Sequence, residues 1–362
     1  MKQFNRYLIF SLLSVCIFSC SKENTTIDAI PTSMKISFNK TTVVADGIDE
    51  VTVTVKDQDG NDISLSSLIY VDDVPIRGNL VFFENNQQGS HTIYANKYGI
   101  FSDTLSIATT APAAAKYSTK VLAEYFTGSW CGWCPRVDYK LNAFMAANTD
   151  LLAIQIHNND IMADRNVDST LRATYGISSV PNILINRKAF LQENGDVMNQ
   201  SDSTLLAPHY QKRAVIGLAL NTSITGNTLN VTAKTGFDAT IHDSLRLVVL
   251  LVEDNVIAPQ TNYYDNNDDY AGNPFYNSGN PITNFVHNGV YRLSPTTISG
   301  ITIPADKQVK DDEYSANFSL DITGLNAANL KVVAFVMFAD SQTRTGIMNA
   351  QWVAAGQNKN YD

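Results

Sequence analysis

The feature that most constrains the fold is a pair of cysteines, Cys131 and Cys134, placed where a strand-like run gives way to a helical pattern. Residues 121–126 before the pair are mostly apolar and β-prone, and apolar positions at helical spacing follow it, beginning with Val137 and Leu141. The first turn of a helix leaves backbone N–H groups unpaired and carries a partial positive charge, which favours the thiolate of Cys131 over its thiol. The segment therefore predicts a reactive pair of thiols at the start of an α-helix.

The chain has four cysteines, and its N-terminal segment accounts for the other two. Residues 1–19 combine a basic start with an apolar core too short to span a bilayer, which is typical of a secretory signal peptide. Residues 17–20, Ile-Phe-Ser-Cys, resemble a bacterial lipobox, which implies cleavage before Cys20 and acylation of that cysteine, palmitate included. Cys16 leaves with the signal, so the central pair is expected to form a disulfide in an oxidising compartment. A loop this short constrains the unfolded chain little, which favours redox use over stabilisation.

The charge balance excludes two classes of partner. The formal net charge is -9, and removal of Lys2 and Arg6 with the signal lowers it by two, to -11. No lysine or arginine run is present, so neither nucleic acid nor an anionic membrane face is an expected partner. The expected membrane contact is the lipid anchor at Cys20. No aspartate follows Cys20, and Lys22-Glu23 resembles part of a Bacteroidetes surface-export signal, which implies the outer membrane, at the cell surface or on the periplasmic face.

The N-terminal third of the mature chain predicts a β-sandwich. Residues 20–30 are short and polar, and we expect them to be a lipid-anchored tether. Short alternating strands and an Asp59-Gly60 turn signal over 31–109 predict a small sandwich. Residues 44–61 resemble the bacterial immunoglobulin-like (Ig-like) repeats of invasin and intimin, which implies a spacer or adhesive module. The small residues of 110–118 are expected to be a linker.

The central segment, 119–213, predicts an α/β domain. Its order of strand, helix and strand implies parallel pairing across a right-handed crossover. Trp-Cys-x-x-Cys at a helix start, followed about 50 residues later by Val180-Pro181 and an apolar strand, resembles thioredoxin. The resemblance implies a cis proline that holds the substrate backbone against the attacking sulfur. Two departures stand out: Tyr125 occupies the position of a buried aspartate, with Glu124 beside it on the opposite strand face, and Trp133 replaces the proline between the cysteines.

The thioredoxin resemblance implies a role for each site residue. Cys131 attacks a substrate disulfide as a thiolate, Cys134 resolves the mixed disulfide, and Pro181 positions the substrate. The apolar rim that contacts the substrate is expected to consist of Trp130, Trp133 and Val180. This hypothesis needs no cofactor and makes an extracytoplasmic protein thiol or disulfide the partner. The alternative is a non-catalytic surface binding or adhesion lipoprotein that keeps the domain as a scaffold with its disulfide closed, so the sequence leaves enzymatic activity open.

From about residue 120 to the end, the chain carries a second resemblance. The residues that carry it are Phe126-Thr-Gly with the Cys-Gly-Trp-Cys-Pro run, then 251–254, 285–292, 332–336 and 349–351. They resemble Bacteroidetes outer-membrane lipoproteins related to outer membrane protein twenty-eight, which implies location and architecture. Strands bounded by turns over 214–362 predict a second sandwich. The predicted fold class is therefore multidomain: an N-terminal Ig-like β-sandwich, a central α/β thioredoxin-like domain and a C-terminal β-sandwich.

The sequence supports no metal site strongly. Zinc at the cysteine pair would need two more ligands, and no second Cys-x-x-Cys is present. Calcium could use Asp57, Asp59 and Asn61, but a hairpin turn explains these side chains more simply. In the long insertion 261–284, three acidic or amide positions fit a calcium loop, but a tyrosine, Tyr270, replaces the required glycine.

The insertion 261–284 is also the longest aromatic-rich loop. It places four tyrosines and a phenylalanine among Asn, Asp and Gly. Loops of this length are uncommon unless they are functional or disordered. Aromatic side chains among small polar residues are typical of a recognition surface, and a plain solvated loop is the other interpretation.

Overall fold

The computed structural model describes residues 30–191, 206–210, 212–339 and 344–362. These ranges are mostly β-strand, arranged in several sheets, with the α-helices α1 (Cys134–Ala147), α2 (Arg165–Tyr175) and the single turn α3 (Ala207–Tyr210). No helix within the described part of the chain is long and apolar enough to cross a membrane. The predicted signal peptide, Cys20 and the tether up to residue 29 lie outside the described residues.

Two sheets enclose the core of the N-terminal region. The first consists of β1 (Met34–Phe38), β3 (Glu50–Asp57) and β6 (Leu80–Phe82), in the order β1-β3-β6. The second consists of β2 (Thr42–Val44), β4 (Leu68–Val71), β5 (Val74–Ile76), β7 (Gly89–Lys97), β8 (Ile100–Phe101) and β9 (Leu105–Thr110), in the order β2-β9-β7-β4-β5 with β8 on β7. Valines at alternate positions of β3 face inward and meet Ile69 and Ile93 of the second sheet. The region is β-rich as expected, and its Ig-like character stays a prediction.

A nine-stranded sheet forms the centre of the remaining chain. Its strands are β10 (Val121–Thr127), β11 (Leu151–His157), β12 (Asn182–Ile185), β13 (Ala189–Leu191), β16 (Leu245–Glu253), β19 (Val290–Leu293), β20 (Ile301–Thr302), β22 (Leu330–Phe338) and β23 (Ile347–Ala354). They lie in the order β13-β12-β10-β11-β19-β16-β22-β23, with β20 on β16. Strands β10 and β11 are parallel and α1 connects them, whereas β12 is antiparallel to β10.

This sheet joins the central segment to the C-terminal segment. Gln155 of β11 pairs with Val290 of β19, and its N–H donates to the Gly289 carbonyl at 2.7 Å. Strands from both sides of position 213 therefore share one hydrogen-bonded sheet. The division of the chain at 213 into separate domains stays a prediction.

A second sheet covers one face of the C-terminal half. It consists of β14 (Ile216–Thr225), β15 (Thr228–Phe237), β21 (Glu313–Asp321) and β24 (Asn358–Lys359), in the order β21-β15-β14-β24. Strand β16 is buried on both sides: Leu247 and Val249 face this second sheet, while Val248 and Leu250 face the core that α2 covers. The remaining strands, β17 (Val256–Gln260) and β18 (Ile282–His287), form a separate antiparallel pair that flanks the start of α1.

Local sequence explains where the two long helices begin and end. Pro135 lies in the first turn of α1, where a missing N–H costs no helical hydrogen bond. The Asp164 side chain caps α2 by accepting the N–H groups of Asn166 and Val167. Helix α2 ends at Gly176, whose φ of 67° is the left-handed conformation that glycine adopts easily. The stop at Gly176 agrees with the sequence pattern.

Candidate disulfide site

Cys131 and Cys134 form a disulfide at the start of α1, with 5.4 Å between their Cα atoms. Cys134 is the first residue of the helix, and its N–H donates to the Cys131 carbonyl at 3.1 Å. Only 5% of Cys131 and 1% of Cys134 are exposed to solvent. Cys131 is therefore the more exposed residue of the pair, although both are largely covered.

Val180 and Pro181 lie at the same edge of the sheet as the disulfide. Asn182 pairs with Phe126 near the carboxyl end of β10, and the cysteine loop leaves the sheet from that end. The Val180–Pro181 peptide bond is cis, as the thioredoxin resemblance implies. Pro181 is buried, and Val180 packs against the core cluster that contains both cysteines.

The two tryptophans frame the disulfide from outside. Trp130 is 47% exposed, and its ring N–H donates to the Asn158 carbonyl at 2.7 Å. Trp133 is 36% exposed. Of the predicted site residues, all except Cys20 thus lie in this part of the molecule. Cys20 lies outside the described residues.

A segment from the C-terminal half covers the cysteine loop. We call residues 260–264 the strap. The Gln260 side-chain amide donates to the carbonyls of Cys131 at 2.8 Å and Gly128 at 3.3 Å. Backbone N–H groups continue the contact, because Thr261 donates to Ser129 at 2.8 Å and Tyr263 donates to Gly132 at 3.1 Å. The strap therefore occupies the backbone hydrogen-bonding groups of the cysteine loop.

Tyrosine rings complete this cover. The Tyr263 ring lies so close to Gly132 that a Cβ atom there would be 2.4 Å from ring carbons. The Trp133 ring meets three tyrosines edge-on, with centroid distances of 5.3 Å to Tyr263, 5.4 Å to Tyr264 and 5.8 Å to Tyr270. Edge-to-face contacts of this kind are favourable beyond the area that they bury. The aromatic insertion is thus packed onto the cysteine loop. Its use as a recognition surface stays a prediction.

Polar side chains hold the insertion in shape. The buried Asn262 side chain donates to the carbonyls of Phe275 at 2.9 Å and Gly279 at 3.0 Å. Asp265 accepts the Gly279 N–H at 2.8 Å, and Asp268 accepts the Tyr276 hydroxyl at 2.7 Å. Asp265, one of the three positions that suggested calcium, therefore serves as an acceptor inside the loop.

The turn near residue 59 also uses an acidic side chain as a hydrogen-bond acceptor within the turn. One Asp57 carboxylate oxygen accepts the backbone N–H groups of Asp59 and Asn61, each at 2.9 Å. Within the described ranges, no group of three or more His, Cys, Asp or Glu side chains is placed to hold a metal ion. The structure thus gives no support to calcium at either loop.

A buried acid that the sequence analysis missed lies behind the disulfide. Asp138 follows Cys134 by one helical turn and lines the same small pocket as Cys134 and Tyr125. The side-chain amides of Gln155 and Asn142 donate to its carboxyl group. Burial raises the pKa of Asp138 to about 7, because no cation among the residues that the structure describes offsets the loss of hydration. The spacing of four residues after Cys134 is the signal that could have found it.

Neither Glu124 nor Tyr125, the strand residues expected behind the site, places a carboxyl group beside the disulfide. Glu124 forms a buried ion pair with Arg187, with 2.6 Å between Oε1 and Nη2. Tyr125 donates its hydroxyl to the Cys134 carbonyl at 2.9 Å, and burial raises the pKa of this tyrosine well above its usual value. Asp138 of α1 thus brings a carboxyl group to the place where the strand provides none.

The pocket also contains an imidazole from the C-terminal half. His287 of β18 is buried, and its Nε2 has no hydrogen-bond partner among the residues that the structure describes. Burial, reinforced by His157, lowers the pKa of His287 to about 4, so the ring is neutral near pH 7. His157 Nδ1 lies 2.8 Å from Asp160 Oδ2, and this same carboxylate oxygen accepts the Ser129 N–H at 2.7 Å. A chain of polar groups therefore connects the pocket to the cysteine loop.

The fold and site define a β-rich, multi-sheet protein with a covered disulfide at a helix start. The profile of the family described as "Outer membrane protein Omp28" matches residues 168–359, which is more than half of the chain. The chain therefore belongs to the Omp28 family and is an outer-membrane or cell-surface protein. The matched region contains the strap and begins after the cysteine pair.

One solved structure resembles this chain at the level of fold. HBP35 of Porphyromonas gingivalis matches with a TM-score of 0.53 and 16% identity, covering 67% of this chain and 76% of that one. A β-glucosidase from Kluyveromyces marxianus in complex with glucose gives a TM-score of 0.20 and 11% identity, covering 87% of this chain and 46% of that one, and carries no argument. No curated protein sequence matches the chain.

Proposed function

We propose that this protein performs thiol–disulfide exchange at the outer membrane, with Cys131 and Cys134 as the redox pair and a lipid anchor at Cys20. The observation that carries the proposal is the disulfide at the first turn of α1, with Cys131 the more exposed residue of the pair. Helix starts lower the pKa of a thiol and so raise its thiolate fraction. The thioredoxin-like interpretation of 119–213 gains support from the parallel β10 and β11 with α1 between them.

In the proposed reaction the reduced protein acts first through Cys131. Its thiolate attacks one sulfur of a substrate disulfide, and the released substrate thiolate takes a proton from solvent. Cys134 then attacks the Cys131 sulfur of the mixed disulfide and frees the second substrate thiol. Cys134 is buried, so a buried group has to take its proton. Asp138 lines the same pocket and has a pKa suited to proton exchange near pH 7.

Three further parts of the proposal concern the surroundings of the redox pair. Val180 and Pro181 would position the substrate backbone, while Trp130 and Trp133 would contact its apolar side chains. The N-terminal sandwich would act as an Ig-like spacer between the anchor and the site. The partner would be an extracytoplasmic protein thiol or disulfide.

Turnover of a short unstructured peptide disulfide tests this function. Glutathione would supply the electrons, and the wild type is expected to exceed Cys131→Ser by about 100-fold in rate, since a thiolate nucleophile is lost. Cys134→Ser is the matched control, because it should still form a trapped mixed disulfide through Cys131. Equal, background-level rates for the wild type and Cys131→Ser would remove the proposal.

A second function is favoured by the strap. It covers the disulfide with three sets of hydrogen bonds, which suits a binding or adhesion lipoprotein whose disulfide stays closed. In that case the surface of the protein would bind its partner while Cys131 and Cys134 remain oxidised. Reaction with a thiol-alkylating reagent after mild reduction separates the two functions, because a closed structural disulfide would stay unlabelled at glutathione concentrations that reduce a redox-active one.

A further inference from the structure

We infer that Tyr263 and the strap select the substrates of the redox pair by size. They admit thiols carried by small molecules or by flexible chain segments, and they exclude cysteines held on folded surfaces. This inference rests on the proposed function and deepens it by naming the class of substrate. It also gives a role to the aromatic insertion, which the exchange reaction itself does not use.

The first step of the argument is access to Cys131. The residue is buried apart from a small exposed fraction, and thiol attack needs a straight approach to sulfur. The Trp130 ring lies against Gly128 at one end of the cysteine loop, and the Tyr263 ring covers Gly132 further along it. A folded surface would meet these two rings before its own cysteine reached Cys131. A small thiol or a single extended residue presents far less bulk to them.

The second step is that the strap is held firmly. Gln260 and Asn262 are both buried, and their side-chain amides hydrogen-bond backbone carbonyls on the cysteine loop and on the insertion respectively. Moving the strap away would leave these amides unpaired in a dry environment, which costs free energy for each group. Tyr264 is buried against Trp133 and anchors the end of the strap. The cover therefore behaves as a fixed filter.

The third step concerns the chemistry of the rim. Tyr263 is 48% exposed, and the half-exposed Trp130, Trp133, Tyr139 and Tyr270 share this side of the molecule. Half-exposed aromatic rings offer apolar contact area at low entropic cost. We expect the preferred flexible substrate to carry aliphatic or aromatic side chains beside its cysteine.

The exchange step itself balances with a dithiol substrate. One substrate thiolate attacks the Cys131 sulfur, the bond to Cys134 breaks, and the electron pair leaves on the Cys134 sulfur. The second substrate thiolate then attacks the substrate sulfur of the mixed disulfide and releases Cys131 as a thiolate. The substrate loses two electrons and the protein gains two, while the two substrate protons end on the two cysteines.

The test compares matched probes on the oxidised full-length protein. The probes are dithiothreitol, a folded domain with one surface dithiol, and the unstructured peptide excised from that domain around the same dithiol. Reduction is followed by the fluorescence of the tryptophans that flank the disulfide. In Tyr263→Ala the rate with the folded domain is expected to rise about tenfold, while the rates with dithiothreitol and the peptide rise less than about twofold. A uniform rise for all three probes, or no rise for any, would overturn the selection.

Two further variants keep the test decisive. Gly272→Ala changes the same insertion at a position where a Cβ atom meets nothing within 4 Å and leaves the cover of Gly132 in place, so all three rates should stay within about twofold of wild type. Gln260→Met removes the hydrogen bonds to Cys131 and Gly128 at similar side-chain volume, and it replaces Tyr263→Ala if that variant does not fold. If the wild type turns over the peptide but the variant leaves the ratio of the folded-domain rate to the peptide rate unchanged, selection by size is wrong and the proposed function stands. If the wild type does not turn over the peptide, the proposed function is wrong, while the ratio of the two reduction rates still measures the effect of the strap.

Discussion

Two regions on opposite faces of β10 each bury a carboxyl group, and they treat it differently. On the face covered by α2, Glu124 is paired with Arg187, whose guanidinium also donates to the Ile298 carbonyl at 2.7 Å. On the face covered by α1, Asp138 accepts hydrogen bonds from two side-chain amides, and its pKa rises to about 7. Burial among uncharged donors favours the protonated form of an acid and brings its titration toward neutral pH. The second region is therefore the one suited to the proton exchange of the proposed reaction.

The largest expected effect comes from breaking the ion pair. Arg187→Met should lower the free energy of unfolding by about 3–5 kcal/mol, because Glu124 is left buried without its cation. Urea denaturation at pH 7 measures the change. The double variant Glu124→Gln, Arg187→Met is the matched control and should recover most of the loss. A single-variant effect below about 1 kcal/mol would contradict the structural role of the pair.

The next effect is the pH dependence that Asp138 creates. Its folded pKa is about 7 against an ordinary value of 3.8, so between these pH values the unfolded chain has lost a proton that the folded protein keeps. Stability from this group is complete below pH 3.8 and is lost as pH rises through 7, by up to about 4 kcal/mol. Asp138→Asn should remove this contribution, so that in denaturation curves from pH 4 to 8 the stability of the variant rises with pH relative to the wild type. Glu253→Gln, which alters another buried acid, should retain the contribution of Asp138.

His287 should show the opposite slope. Its folded pKa is about 4 against an ordinary value of 6.5, so the folded protein loses stability as pH falls through this window. The expected loss is about 2–3 kcal/mol between pH 6.5 and 4. His287→Asn should flatten that limb in the same denaturation series. Because the Asp138 and His287 slopes oppose each other, the wild type alone will look nearly flat, and a His287→Asn curve identical to wild type would exclude the burial effect.

The smallest expected effect tests the cover above the second region. Gly132→Ala places a Cβ atom against the Tyr263 ring and should cost about 1–3 kcal/mol by overpacking. Gly272→Ala is the matched control in the insertion that carries Tyr263, since a Cβ atom there meets nothing within 4 Å. Thermal unfolding of both variants measures the difference. Equal midpoints would show that the Tyr263 ring moves aside without cost.

Local patterns predicted the elements that depend on neighbouring residues. The strand, helix and strand around the cysteine pair follow from apolar spacing, and the disulfide was predicted because Cys16 was expected to leave with the signal and Cys20 to be acylated. The cis bond before Pro181 came from the thioredoxin resemblance. The turn at Asp57 to Asn61 also formed as its residues indicate, with the acidic side chain satisfying backbone N–H groups.

The parts that escaped prediction depend on contacts between distant residues. Nothing in the spacing of the tyrosines indicates that residues 260–264 hydrogen-bond a loop about 130 positions earlier. Asp138 looks like an ordinary polar helix residue until β11 and β18 close over it. Both omissions concern burial, which a one-dimensional pattern reports only for apolar side chains.

The shared pairing between β11 and β19 has a practical and evolutionary consequence. A fragment ending at residue 213 would lose β19. The edge of β11 that faces β19 would then be unpaired and could pair with another chain. It would also lose the cover over its cysteines. The segment that carries the disulfide and the C-terminal half are thus expected to be inherited together as one unit.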